Sequence, residues 1–326
     1  PIKNSLERLL NKPIKFATDI LSEETKNMAL SLQSGEILLL ENTRFLDVPN
    51  KLESNLNEDV AKHLASLGDL FVFDAFAVAH RRHTSVVGIP AYLPSCLGFL
   101  AEKELSMLNN TIKNPNKPFT VIMGGAKVDD KLKIIKSLLP KCDHLLVSGG
   151  IANSFLSALR LNVGSSLKTN DPNIIKELVN LMLTYKEKFA FPLDAIVTTT
   201  YSNTPEMKNI NEIDTNDIIK DIGTKTIKKY GTIIKESNTI FMNGTMGIYE
   251  EKAFSNGTRE ILNILSTKKE QVVIGGGDTV GALNNLGFIN TFSNVSSGGG
   301  ATLEYIANGS LPGIDAIREE DNIEVL

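Results

Sequence analysis

Seven short apolar runs, most of them stopped by glycine or by an acidic residue, limit what this chain can fold into. They are EILLLE (Glu36–Glu41), LFVFDAF (Leu70–Phe76), FTVIMGG (Phe119–Gly125), HLLVSGG (His144–Gly150), LDAIVTT (Leu193–Thr199), TIFMNG (Thr239–Gly244) and QVVIGGG (Gln271–Gly277). Such runs lack the alternation of a half-exposed strand and suit strands covered on both faces. Amphipathic stretches separate most of them, among them Lys131–Lys141 and Lys252–Ser266. Strand, helix, strand is the pattern of a parallel α/β sheet. Ligands of such sheets bind beyond the carboxyl ends of the strands, where the glycines of this chain collect.

A length of 326 residues allows two domains, and 42% apolar residues allow a proper core in each. Ala91–Pro118 reads as a turn, one long helix and an Asn/Pro/Lys loop, expected to join them. Thr199–Asp217 reads as a loop-rich surface excursion. No run of 18 apolar residues occurs, so no transmembrane helix is expected. The opening stretch has no secretory pattern. A net charge of −4, with lysine and glutamate spread along the chain, argues against a nucleic-acid binder. Cys96 and Cys142 are isolated and read as small core residues in a reducing compartment, the cytoplasm.

The stretch FTVIMGGAKVDDK poses a chemical question, because a buried strand runs into two glycines and then two lysines. Gly124 and Gly125 would let a ligand approach the backbone. Lys127 and Lys131, at i and i+4 of an expected helix, would point from the same side of its first turn. Neither G-x-x-x-x-G-K-[ST] nor G-x-G-x-x-G occurs, which weighs against a P-loop enzyme and against a dinucleotide-dependent dehydrogenase. Two further strand–helix junctions repeat the theme. In IGGGDTVGAL, Asp278 can cap a helix or face a Mg²⁺, which takes one or two carboxylates plus phosphate oxygens. In SSGGGATLEYI, the consecutive glycines Gly298–Gly300 suit close approach, and their amides can hold charge on a transferring phosphoryl group. A fourth stretch, FMNGTMGIYEEKAF, sets Asn243 and Glu250 around a turn with two glycines, where Glu250 can either reach ribose hydroxyls or cap the next helix. Several such junctions together point to a phosphate-rich ligand.

The first part of the chain differs in offering arginine forks, which suit carboxylate and phosphate. Arg44 ends one strand, and His80, Arg81, Arg82 and His83 follow another. His80 and His83 lack the further nearby ligands that zinc needs.

Taken in order, LLLENTRF, DAFAVAHRRHTS, GGAKVDDK, NGTMGIYE, IGGGDTVGAL and SSGGGATLEYI resemble the successive motifs of the phosphoglycerate kinase family, from near Pro1 to about Ile317. The resemblance implies two Rossmann-like parallel-sheet lobes joined by a hinge helix. Residues 1–95 would be the remainder of a phosphoglycerate-binding lobe, 96–116 the connecting helix and loop, 117–308 the nucleotide-binding lobe, and 309–326 a tail returning toward the first lobe. It implies reversible phosphoryl transfer between 1,3-bisphosphoglycerate and Mg-ADP, giving 3-phosphoglycerate and ATP, in a protein usually monomeric.

By position, Arg44 and Arg81 would hold the glycerate phosphate with His80 and His83 beside them. Lys131, Gly149, Asn243, Glu250, Gly276, Gly277, Asp278 and Thr279 would bind the nucleotide, with Glu250 at the ribose and Asp278 at the Mg²⁺. Lys127 and the amides of Gly298 and Gly299 would steady the transferring group. The chain departs from the family in lacking RVDFNVP-like and SHLGRP-like motifs. Pro1 is therefore expected to fall inside the first lobe, and the chain alone to turn over poorly. A catalytically dead nucleotide-binding remnant is the alternative. Smaller departures are Ala77, Val78, Ser148, Lys220, Thr224 and Thr245.

Overall fold

The computed structural model describes residues 2–318, and the part of the expected tail from 319 on lies outside the described residues. The chain divides into two compact units: one runs to Glu102 and takes in the segment from Ser310, and the other is Lys103–Gly309.

Among its described residues the first unit holds four short strands, β1 (Lys15–Ala17), β2 (Leu38–Leu40), β3 (Phe71–Phe73) and β4 (Ser95–Leu97). They form two separate two-stranded parallel sheets, β1 with β2 and β3 with β4. Helix Glu58–Ala65 supplies much of the core: Val60, Leu64 and Ala65 pack with Ile20 and Ile89. It starts where it does because Asn57 accepts a hydrogen bond from the Val60 N–H, satisfying one of the orphan donors of the first turn. Helix Ile2–Leu10, although amphipathic in sequence, has no buried residue. The segment after Ser310 belongs to this unit, where Gly313 donates its N–H to the Ala79 carbonyl at 2.9 Å.

In the second unit the remaining strands follow as β5 (Phe119–Met123), β6 (His144–Val147), β7 (Phe189–Ala190), β8 (Asp194–Thr199), β9 (Ser202–Asn209), β10 (Asp217–Ile222), β11 (Thr239–Asn243), β12 (Val272–Gly275) and β13 (Asn294–Val295). Six of them make one parallel sheet in the order β13-β12-β11-β5-β6-β7. Read from its other edge, the chain runs outward from β5 through β6 to β7, then returns to β11 and runs outward the other way. That is the doubly wound arrangement, and its direction reverses between β5 and β11. All five residues of β5 and of β11 are buried, as continuous apolar strands at the centre of a parallel sheet should be.

Four expectations need correction. The run Leu193–Thr199 does not join the parallel sheet: β8 is the centre of a three-stranded antiparallel sheet, β10-β8-β9. The stretch expected as loop contains β9, a mostly polar edge strand whose first six residues are exposed. An edge tolerates Pro205, which is what disguised it. Lys127 and Lys131 do not share a helical turn, because the helix begins only at Leu132 and Lys131 stands at its N-terminal boundary. Cys142 is buried, its thiol pushed up to about 11 by burial, but Cys96 is exposed on β4. Among the described residues no helix is long and apolar enough to cross a membrane.

Candidate active site

The carboxyl ends of β5 and β11 lie side by side at the reversal point, with Met123 paired to Asn243. Backbone packing there demands glycine. A Cβ on Gly124 would stand 2.0 Å from the Thr245 carbonyl oxygen, and one on Gly244 would stand 2.1 Å from that of Gly124. Gly124 thus allows the turns after β5 and β11 to approach closely, and it also lines the cleft beyond them. Gly125, with φ +116° and open space around its Cβ position, is the glycine that faces outward.

Beyond these strand ends opens a cleft of about 280 Å³, lined by Gly125, Lys127, Lys131, Asn243, Gly276, Gly277, Asp278 and Thr279 among others. Asn243 organises it. Fully buried, Asn243 donates Nδ2–H to the Gly275 carbonyl at 2.8 Å, and its Oδ1 accepts from the Lys131 ammonium. Burial holds the Lys131 pKa below its ordinary value, opposed by the negative charges of Asp278 and Asp130. A lysine so placed is partly stripped of water and fixed in direction, which strengthens its pull on an anion. Lys127 is exposed on the rim. Thr279 lines the cleft, yet its hydroxyl is committed to backbone: it accepts from Gly244 N–H at 2.7 Å and donates to the Gly275 carbonyl at 3.0 Å.

A second cavity of about 330 Å³ has more apolar walls, including Ala126, Gly149, Gly150, Leu167, Ile219, Met246 and Ile248, with Tyr249 and Glu250 also on its lining. Asp278 borders both cavities. This pocket was hard to read from sequence, because its walls come from β10, from the helix after β6 and from the turn after β11. Three of the departures noted above, Ser148, Thr245 and Lys220, lie at or beside it. Ser148, fully buried, donates its hydroxyl to the Thr245 carbonyl at 3.1 Å. Lys220 sits at a break in the β10–β8 register, with its ammonium 5.9 Å from the centroid of the Phe254 ring.

Among the described residues no group of three or more His, Cys, Asp and Glu is arranged to hold a metal ion. Asp278, one carboxylate shared by both cavities, fits a Mg²⁺ that takes its other oxygens from phosphate and water. Gly298 and Gly299 stand at the start of helix Gly300–Asn308 and are not among the residues lining either cavity. The Gly298 N–H donates to Ser296 Oγ at 3.2 Å.

The arginine-rich residues lie in the first unit. Arg44, half exposed, reaches His83 with Nη1 at 3.2 Å from Nε2, and Asp47 at 3.1 Å. Burial lowers the His83 pKa, Glu53 opposes this, and the cations Arg44 and Arg81 reinforce it. Arg44 and Arg81 about a histidine on which burial disfavours the proton are suited to a carboxylate or a phosphate.

A doubly wound α/β unit with a lysine-lined cleft at its reversal point, beside an apolar pocket, belongs to the class of α/β proteins that place their ligand site at the topological switch point. The comparisons agree. The family pattern described as phosphoglycerate kinase matches residues 1–309. A phosphoglycerate kinase of Macrococcus caseolyticus is 40% identical over 98% of this chain and 81% of its own length. The solved structure of phosphoglycerate kinase from Coxiella burnetii, 34% identical, superposes with a TM-score of 0.87 over 98% of this chain and 80% of that one. That from Pyrococcus horikoshii OT3, 28% identical, gives 0.82. This chain belongs to the phosphoglycerate kinase family.

Proposed function

We propose that the chain carries the phosphoryl-transfer chemistry of its family, moving a phosphoryl group reversibly between 1,3-bisphosphoglycerate and Mg-ADP to give 3-phosphoglycerate and ATP. The observation that supports this most is the cleft at the β5–β11 reversal, where Lys131 is held by buried Asn243 beside a nucleoside-sized apolar pocket. On this reading Gly149 and the apolar walls take the base, Glu250 the ribose, and Lys131, Gly276, Gly277 and the Thr279 turn the phosphates. Asp278 would hold Mg²⁺, which when bound neutralises charge on the phosphate oxygens. Lys127 would steady the group in transit, with the amides of Gly298 and Gly299. Arg44 and Arg81, flanked by His80 and His83, would hold the phosphoglycerate.

In the direction that consumes ATP the nucleophile is a carboxylate. Such groups ionise near pH ~3–4, so no general base is required at neutral pH. Catalysis then reduces to positioning and charge stabilisation, which lysines and oriented backbone N–H groups supply. The protein is read as a cytoplasmic monomer acting on these small molecules, without nucleic acid or membrane.

Calorimetric titration with Mg-ADP tests the nucleotide half of the reading. Lys131→Ala should weaken binding by about tenfold or more, since it removes a charged donor and leaves Asn243 Oδ1 without its partner. A folded chain that takes up no Mg-ADP would overturn the reading and point to the departures at Ser148 and Lys220, whereas one that binds Mg-ADP but transfers no phosphoryl group would favour the alternative, a catalytically dead nucleotide-binding remnant.

A further inference from the structure

Behind the arginine-rich face of the first unit lies a carboxylate that the reading above does not use. Glu53 is 1% exposed. Its Oε1 accepts from the Ser85 hydroxyl at 2.5 Å, and its Oε2 from the Ser85 N–H at 3.1 Å. Its own N–H donates to Asp47 Oδ1 at 3.0 Å, while its carbonyl accepts from the Thr84 N–H at 2.8 Å. One residue therefore ties the turn that carries Arg44 to the segment that carries His83. A neutral side chain could close the same loop. What a carboxylate adds is charge beside an imidazole: Glu53 Oε1 stands 3.8 Å from His83 Nδ1. The same ring meets Arg44 Nη1 at 3.2 Å from Nε2.

We infer that Glu53 is a positioning residue of this anion site: it ties the Arg44 turn to the His83 segment and, as a charge beside the ring, couples the pair's hold on a phosphate or carboxylate to a proton on His83. A neutral imidazole can accept from the Arg44 guanidinium, whereas an imidazolium is repelled by it and is favoured by Glu53. The groups facing the ring are thus opposed. Burial, Arg44 and Arg81 disfavour the proton; Glu53 and Asp47 favour it; and the balance lowers the His83 pKa. An anion drawn to Arg44 adds negative charge at the ring. His83 then takes up a proton and becomes a second cation on the ligand.

The inference rests on the reading of the Arg44–His83 face as the phosphoglycerate site. It is tested on the full chain by NMR titration of the His83 ring. Alongside, calorimetry with 3-phosphoglycerate and with inorganic phosphate is run across a pH series for the parent, Glu53→Gln and Ser85→Ala. Glu53→Gln should lower the His83 midpoint by about half a unit or more and shift the pH dependence of binding with it. That corresponds to a loss of about threefold near neutral pH, recovered on acidification. Ser85→Ala keeps the charge but loosens it, and should shift both in the same direction by less; it carries the test should Glu53→Gln fail to fold. An unchanged His83 midpoint, or a loss of affinity equal at every pH, would overturn the inference. So would a parent chain that binds neither compound. Inorganic phosphate binding with the Glu53-dependent pH curve, but no preference for 3-phosphoglycerate, would support the inference and sink the substrate reading alone.

Discussion

Two apolar strands of similar composition fare differently in the two units. Phe119–Met123 is buried at every position, whereas in Phe71–Phe73 only Phe73 is buried and Val72 is 52% exposed. The register explains it. β5 is paired on both sides, by β11 and β6, while among the described residues β3 is paired only by β4, and the residue opposite Val72 is the exposed Cys96. An apolar run therefore predicts a strand, but the depth of its burial is decided by the neighbours it finds. Stability should divide along the same line, with the second unit resting on its sheet and the first on a smaller cluster around helix Glu58–Ala65.

The largest effect that would sharpen this contrast is Phe241→Ala, at the centre of the parallel sheet. Phe241 is fully buried, so removing its ring should cost about 3–5 kcal/mol, read as a lower urea midpoint for the second unit. A loss under about 1 kcal/mol would break the comparison.

Next comes a pH effect in the second unit. Burial raises the Asp221 pKa to about 7, despite hydrogen bonds from the Gly257 N–H at 2.7 Å and its neighbour Ile222 N–H at 2.9 Å. The folded protein thus keeps a proton that the unfolded chain, with an ordinary value of ~3.9, releases. The stabilisation is full below pH ~4 and is lost as pH rises through about 7, a change of up to about 4 kcal/mol. Urea unfolding at pH 5 and pH 8 should show this slope in the parent and a much flatter one in Asp221→Asn. Parallel slopes would rule the assignment out.

The smallest effect is expected in the first unit. Val72→Thr, on the exposed face of β3, should change stability by no more than about 0.5 kcal/mol. A loss several times larger in thermal unfolding would mean that something covers this face in solution.

Much of the candidate site was legible because its chemistry is local. Strand, glycine turn and helix are adjacent in sequence, so the Gly-rich junctions after β5, β11 and β12 declared themselves together with Lys127, Lys131, Asn243 and Asp278. Other residues were illegible for a definite reason. Glu53 meets Ser85 across 32 positions, and Ser148 meets Thr245 across 97. No short-range pattern marks such partners. The packing of the glycines was equally hidden: Gly124 and Gly125 are adjacent letters, yet a Cβ on the first would meet the turn after β11 and a Cβ on the second would meet open space.

By itself, then, the sequence determined the parallel α/β class, the family, and most of the residues at the strand ends, because apolar periodicity and turn chemistry act over a few positions. Only the tertiary structure decided that β8 leaves the parallel sheet for an antiparallel one, that the helix after β5 starts beyond Lys131, and that a buried carboxylate stands behind His83. Those outcomes depend on which surfaces and charges meet across long loops, and that is settled by packing.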